Sequence, residues 1–254
     1  MLCEACRETY PLVDGIPLMI SAAERSGSGQ GTFDSIAELY DTTLSAHVTE
    51  HYLDKRMALL SQRLKMGSVL DVGGGTGMLA QRLIGKGYQV LGTDASLGML
   101  RVYRSRTSTM PAGALAHALP FRSQAFQGVV CVAMLHHIAR PEAVRASLSE
   151  MYRVVRQGGV LVIWDHNPAN PYWPVLMRRV PQDSGEERLI PLAEIYSGLR
   201  EAGAKSIEAF KMGFIPDFAP AVLLPLLRRL EGALERVPLV RRWAAHNVVV
   251  VRKD

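Results

Sequence analysis

Asp71, Gly73, Gly75 and Gly77 stand at alternate positions in VLDVGGGTG (69–77), a spacing that suits a loop carrying a nucleotide cofactor. Val69, Leu70 and Val72 suit a buried strand, and glycine lets the chain behind it turn sharply and approach a ligand where a Cβ would collide. A helix is expected next, with Met78, Leu79, Leu83 and Ile84 at helical spacing and its amino end facing the ligand. Asp94 follows 21 positions after Gly73 at the end of a second strand, YQVLGTDAS. That offset suits a carboxylate accepting from two ribose hydroxyls. Two more polar groups end later strands: Leu135-His136-His137 after GVVCVAM, and Asp165-His166-Asn167 after VLVIW. In an open α/β sheet those carboxyl ends border one ligand crevice, where a histidine titrating near neutrality can take a proton from a hydroxyl. His136, His166 and Asp165 are the candidate bases, in that order. For Asp165 and His166 the structural alternative is capping of the turn in N-P-A-N-P.

The loop separates cofactor classes. A dinucleotide loop, G-x-G-x-x-G, would put its third glycine at position 78, which is Met. The pattern D-x-G-x-G-x-G resembles instead that of the Rossmann-like S-adenosylmethionine-dependent methyltransferases. The resemblance continues through ALPFRSQAFQGVVCVAMLHHI, EMYRVVRQGGVLVIWDHNP and DHNPANP, covering 69 to 171. It implies a seven-stranded, mostly parallel sheet in the order 3-2-1-4-5-7-6 with helices on both faces and the last strand antiparallel. It also implies S-adenosylmethionine as cofactor. Asp71 and the three glycines would hold its methionine part and Asp94 its ribose, with Ala95 and Ala133 beside them and Ala116 and Leu119 near the adenine. The chain departs from the pattern at Leu115, where an adenine-binding Asp is usual, and at Gln127, which replaces the Asp of FD-x-V. The methyl acceptor is then an O or N atom on a small molecule, glycan precursor or lipid-linked intermediate. A metal at Ala133–His137 is not expected, since neither glutamate of an E-x-x-E-H motif is present there. A noncatalytic protein that kept the fold, and a nicotinamide-dependent reductase, are the alternatives.

Around these residues the chain divides simply. At 254 residues and 48% apolar, it can bury one substantial α/β core. LCEACRETYPLVDGIPLMI resembles half of a zinc ribbon, with Cys3 and Cys6 lacking a second ligand pair, and SAAERSGSGQGT (21–32) reads as a linker. Residues 1–30 are thus set apart from a methyltransferase domain over 31–254. Two helical patterns, FDSIAELYD and YLDKRMALLSQRL, precede the first strand, and ALAHA (114–118) reads as a short third strand. IPLAEIYSGLREAGA is a helix, and KSIEAFKM and HNVVVVRK are the last two strands. An apolar and basic helical insertion at about 214–243 separates those strands. Leu226, Leu227, Leu230, Ala233, Leu234 and Val237 share one face of it. The insertion either closes over the crevice or pairs with a second copy; alternatively, its 218–243 stretch touches a membrane surface. The three cysteines suit a reducing cytoplasm, and the longest apolar run, 218–227, is too short to span a bilayer. A net charge of +5 tolerates an anionic partner, but the arginines are interleaved with acids and nucleic acid is not expected.

Overall fold

The computed structural model describes residues 7–25, 30–180 and 187–254, so Cys3 and Cys6 lie outside the described residues. A small hairpin, β1 (Leu12–Val13) and β2 (Ile16–Pro17), comes first, followed by helices α1 (Ala22–Arg25), α2 (Gln30–Ile36) and α3 (Ala46–Arg63). The expected linker is therefore partly helical, and the first predicted helix breaks after Ile36 into a short 3-10 turn at Tyr40–Thr42. The main body alternates β3 (Ser68–Val72), α4 (Met78–Gly85), β4 (Gln89–Asp94), α5 (Leu97–Thr107), β5 (Ala112–Gly113), β6 (Phe126–Val132), α6 (Pro141–Val154) and β7 (Val155–His166). After it come α7 (Trp173–Leu176), α8 (Leu192–Glu201), β8 (Ser206–Met212), α9 (Leu224–Leu234), α10 (Pro238–Arg241) and β9 (His246–Arg252). The sheet order is β5-β4-β3-β6-β7-β9-β8, with β9 antiparallel to both neighbours. This is the predicted order once the hairpin strands are left out of the numbering.

Side chains alternate across the sheet, and each strand feeds two cores. Val69, Val130, Val162, Trp164 and Val248 pack under α3 and α4. Leu70, Val129, Cys131, Ile163 and Val249 pack on the other face with α6 and α8. Because the alternation carries on to the strand ends, Asp71 and His166 emerge on the α3 side, while Asp165 points to the opposite side. The register of β7 and β9 sets His166 directly across from His246.

The third sheet strand is Ala112–Gly113, not 114–118. The hairpin explains the displacement: Leu18 bridges to Gly113, and Met19 N donates to Gly113 O at 2.7 Å. Ile16 and Leu18 then pack on Leu100 of α5. The helix after Asp94 turns Met99, Leu100 and Tyr103 fully inward, whereas Leu97 and Val102 are half-buried.

The insertion corrects the amphipathic reading of α9. Leu226 and Leu230 are 64% and 51% exposed, and the buried position is Glu231. Its carboxylate accepts from His51 Nε2 at 2.8 Å, Lys55 Nζ at 2.7 Å and Phe214 N at 2.7 Å. Glu235 adds Lys55 at 2.5 Å and Gly213 N at 2.7 Å. A buried carboxylate must be paired, and here the donors lie on α3 and on the backbone entering the insertion. The acids of α9 therefore bind inward beside Leu224 and Leu227, while Leu226 and Leu230 face out. Ahead of α9, residues 214–219 are strapped to α3 and its amino end by Tyr52 Oη to Ile215 O at 2.8 Å, Ser45 Oγ to Asp217 O at 2.5 Å and His47 to Ala219 O at 2.6 Å.

Burial alone would raise the Glu231 carboxyl, but His51 and Lys55 outweigh it and hold the group at about 2. A lowered carboxyl adds stability above its ordinary value near 4.5, and that stability is lost as pH falls from there toward 2. Glu231→Gln should cost about 3 kcal/mol at pH 7, the scale for breaking a buried ion pair. Urea unfolding at pH 7 and pH 3 should show the gap narrowing in acid. A variant as stable as the parent at pH 7 would remove Glu231 from its anchoring role.

Candidate functional site

The glycine loop is built for close approach. Gly73, Gly75 and Gly77 all adopt left-handed backbone angles (φ +66°, +54° and +80°). A Cβ on Gly73 would run into the Met134 side chain, and one on Gly77 into Tyr103. A Cβ on Gly75 would meet nothing, because this residue borders open space. Asp94 braces the loop from the next strand: its Oδ2 accepts from Gly75 N and its Oδ1 from Ser96 N, each at 2.9 Å. Burial raises the Asp94 carboxyl. Asp71 is almost wholly buried, its Oδ2 has no hydrogen-bond partner, and burial followed by the nearby Asp94 charge pushes it up to about 7. An unpaired buried carboxylate beside a side-chain-free loop fits a ligand bearing a cationic amine.

Beside the loop opens a cavity of about 480 Å³. Asp71, Gly73, Gly75 and Ala133 line one side, and His136, His166 and His246 another. Residues 214–218 of the insertion complete the wall, so the strap closes over the crevice. Asp94 stands behind the loop and is not among the lining residues. Leu119 is buried in the second core, its N–H given to Glu150 at 2.9 Å, and Ala116 packs half-buried against the same core. Ala133 holds a left-handed angle (φ +50°) at the end of β6, a conformation that costs energy without glycine. Its N–H is tied to Trp164 O at 2.8 Å.

Asp165 organises the histidine group. Oδ1 accepts from His136 Nδ1 and His166 N, and Oδ2 from Leu135 N, all at 2.7 Å. Burial alone would raise this carboxyl, but His136 and the backbone donors more than offset it and leave it lowered. Asp165 is thus an ionised orienting group and not a base. His166 lies between His136 (ring centroids 4.0 Å apart) and Trp173 (3.5 Å), both stacked. Burial, with His136 next, holds His166 well below its ordinary range. His137 and His246 are each held down at about 3, chiefly by burial. His136 is the one histidine of the group with its ring on the cavity and its Nδ1 fixed by a carboxylate. His136, Asp165 and His166 each bring one possible ligand atom within 4.8 Å of the others. Both Asp165 oxygens are nevertheless filled by the hydrogen bonds above, which describes an oriented dyad. The turn after β7 is capped by Asn167, whose Oδ1 accepts from Ala169 N at 3.2 Å and whose Nδ2 donates to Ala244 O at 2.7 Å.

Several site residues were not singled out from sequence. Arg56 and Tyr52 reach the cavity from α3, Trp173 from α7 and His246 from β9. Asp41 accepts from Thr76 Oγ1 at 2.7 Å and Arg106 Nη2 at 2.5 Å, fastening the segment with Tyr40 to the loop. Asp34 accepts from Ser96 Oγ at 2.5 Å and Gly98 N at 2.8 Å, seating α2 on the start of α5. Gln127, the departure at FD-x-V, is buried at the start of β6, where it takes Arg156 and gives Nε2 to Gly158 O at 3.5 Å. That position lies at the opposite end of the strand from the cavity, so the change leaves the site alone.

Comparison with known proteins agrees with this geometry. A methyltransferase domain family matches residues 70–163. The demethylmenaquinone methyltransferase of Renibacterium salmoninarum is 34% identical over 179 residues, covering 65% of this chain and 72% of the relative. The ubiquinone/menaquinone biosynthesis C-methyltransferase UbiE of Hahella chejuensis is 32% identical over 167 residues, 60% of this chain and 65% of that protein. Among solved structures, an S-adenosylmethionine-dependent methyltransferase of Thermotoga maritima shares the fold with a TM-score of 0.64 at 16% identity, covering 89% of this chain and 99% of the other. Asp71, left without a partner next to a loop open at Gly75, and Asp94 at the end of the second sheet strand fit S-adenosylmethionine as cofactor. The chain belongs to the class I S-adenosylmethionine-dependent methyltransferases.

Proposed function

We propose that the acceptor is a planar, hydroxyl-bearing compound whose proton is taken by His136. The single observation behind this reading is the buried 2.7 Å contact between His136 Nδ1 and Asp165 Oδ1 on the cavity wall. The bound cofactor supplies an electrophilic methyl group, and alignment of an electron-rich acceptor is then the main task. Asp71 and the glycine loop hold the methionine end, and Asp94 braces that loop from behind at Gly75. Asp165 fixes the ring of His136 and stabilises the imidazolium that forms on proton uptake. The neutral rings of His166 and His246, with Trp173 and Tyr52, offer flat apolar surfaces to a ring-shaped acceptor. Residues 214–218 exclude water from the transfer. The relatives named for demethylmenaquinone and for ubiquinone/menaquinone biosynthesis support an acceptor of this ring type.

A second feature favours an acceptor collected at a membrane surface. Val222, Leu226, Leu230, Leu239 and Trp243 form an exposed apolar face on the insertion, while Arg228, Arg229, Arg236, Arg241 and Arg242 are exposed around it. Glu231 and Glu235 are used inward, which leaves that face basic. Such a surface suits anionic lipid, and Phe218 belongs both to it and to the cavity wall. Among the described residues no helix is long and apolar enough to cross a membrane.

Three outcomes follow. His136→Gln should lower turnover by about 100-fold and flatten the acidic limb of its pH profile, with unchanged affinity for S-adenosylhomocysteine. The assay is labelled methyl transfer to hydroxylated ring compounds, and an intact profile would refute the base. For Asp71, a raised carboxyl costs folded stability as pH climbs from about 4 to 7, and ionisation is needed to hold the amine. Calorimetry should show S-adenosylhomocysteine binding tighter at pH 8 than at pH 6. Asp71→Asn should weaken it by about 1.5 to 3 kcal/mol, remove the pH dependence and raise the thermal midpoint of the ligand-free protein at pH 8; equal binding by parent and variant would exclude the contact. Finally, the parent should sediment with phosphatidylglycerol vesicles, and the double change Leu226→Glu, Leu230→Glu should release it. Equal partitioning of both proteins would end the membrane reading.

A further inference from the structure

Among the described residues Arg56 has no counter-charge at contact distance. It enters the cavity from α3 one turn after Tyr52, and its Nε is buried without a hydrogen-bond partner. Neighbouring cations are all engaged: Lys55 takes Glu231 and Glu235, Arg63 takes Glu208 and Arg106 takes Asp41. Among the described residues no carboxylate lies within ion-pair distance of Arg56. It is held over the Trp164 ring instead, 5.7 Å from the centroid. Apart from Asp71 beside the glycine loop, the acids that approach the cavity are committed elsewhere. Asp165 is filled by three donors, Asp41 by Thr76 and Arg106, and Asp217 takes the Tyr172 hydroxyl. Beside Arg56, His246 lines the same wall with Nδ1 turned to the backbone at Met212 and Gly213, and burial keeps that ring neutral. Burial also brings the guanidinium down to about 10, a cost that an anion placed against it would reverse. Leaving a buried donor unmade and a cation unpaired is expensive, and a ligand is the natural way to satisfy both.

We propose that Arg56, with the His246 imidazole beside it, forms an anion subsite, and that the acceptor carries a carboxylate or phosphate group bound there. This rests on reading the cavity as the acceptor chamber. The guanidinium fork pairs with either anion through two parallel N–H donors. The group would anchor the end of the acceptor away from the glycine loop and leave its hydroxyl free for the His136 side.

Binding tests this without turnover. Protein saturated with S-adenosylhomocysteine is titrated calorimetrically with 4-hydroxybenzoate, phenyl phosphate and the neutral isostere 4-hydroxybenzamide. At least one anion should bind tenfold or more tightly than the amide, and the two anion arms distinguish carboxylate from phosphate. Arg56→Gln should bring anion and amide level while its S-adenosylhomocysteine affinity stays within about twofold of the parent; Arg56→Lys should keep part of the preference. Amide binding as tight as both anions, no anion binding, or a preference that survives in Arg56→Gln would each overturn the subsite. Should Arg56→Gln fail to fold, the anion and amide comparison on the parent protein decides alone. A failed pH profile for His136 with this preference intact would remove the base and leave the subsite; the reverse result would do the opposite.

Discussion

A buried carboxylate with no solvent must find donors from the protein, and Asp165 finds three at one point of the sheet edge. Two are backbone N–H groups, one from the turn after β6 and one from its own strand; the third is an imidazole. That arrangement joins the ends of β6 and β7 into a single rigid corner. It also explains why the turn at Leu135–His137 can follow Ala133, whose left-handed backbone would otherwise be unfavourable. The corner then fixes everything stacked on it: His136 by direct contact, His166 against His136, and Trp173 against His166. In a cavity wall assembled this way one carboxylate decides which imidazole is held in a fixed orientation.

Charge is divided along the cavity in a way that follows from the fold. Asp71 and Asp94 belong to adjacent parallel strands that end at the glycine loop, so the carboxylates collect at the cofactor end. The cation comes from α3, which crosses the same face of the sheet farther along, above Trp164 on β7. A ligand amine is drawn to the first region and a ligand anion to the second. Neutral imidazoles between them add no competing charge, since burial keeps His137, His166 and His246 below their ordinary range. Coulombic attraction is strong in such a low-dielectric space, and two regions of opposite sign orient bound molecules without close sequence-specific contacts.

The glycine loop was legible in the sequence because its signals are local. The turn conformations at Gly73, Gly75 and Gly77 are dictated by residue type, and the spacing to Asp94 is set by one strand, helix and strand. Strand order followed for the same reason, from the succession of buried strands and amphipathic helices. What could not be read depends on register and rotation. His246 meets His166 only through the antiparallel pairing of β9 with β7, which nothing in HNVVVVRK specifies. Arg56 sits among exposed residues in the sequence pattern of α3, and its place on the cavity wall comes from how that helix is rolled against Trp164. An apolar stripe likewise says which residues dislike water but not whether the protein provides them a partner.

Helix α9 shows that last point most clearly. Hydrophobicity alone would turn Leu226 and Leu230 inward and leave Glu231 in water. The opposite happens because the chain entering the insertion presents N–H groups at Gly213 and Phe214 that face α9, and α3 presents Lys55 and His51 beside them. Four donors without acceptors would each be costly, so two glutamates one turn apart on the helix satisfy them together. The helix must then roll its acidic side down, and Leu226 and Leu230 are exposed as a consequence. The same roll that anchors the strap over the cavity thus sets Leu226 and Leu230 in solvent beside exposed arginines.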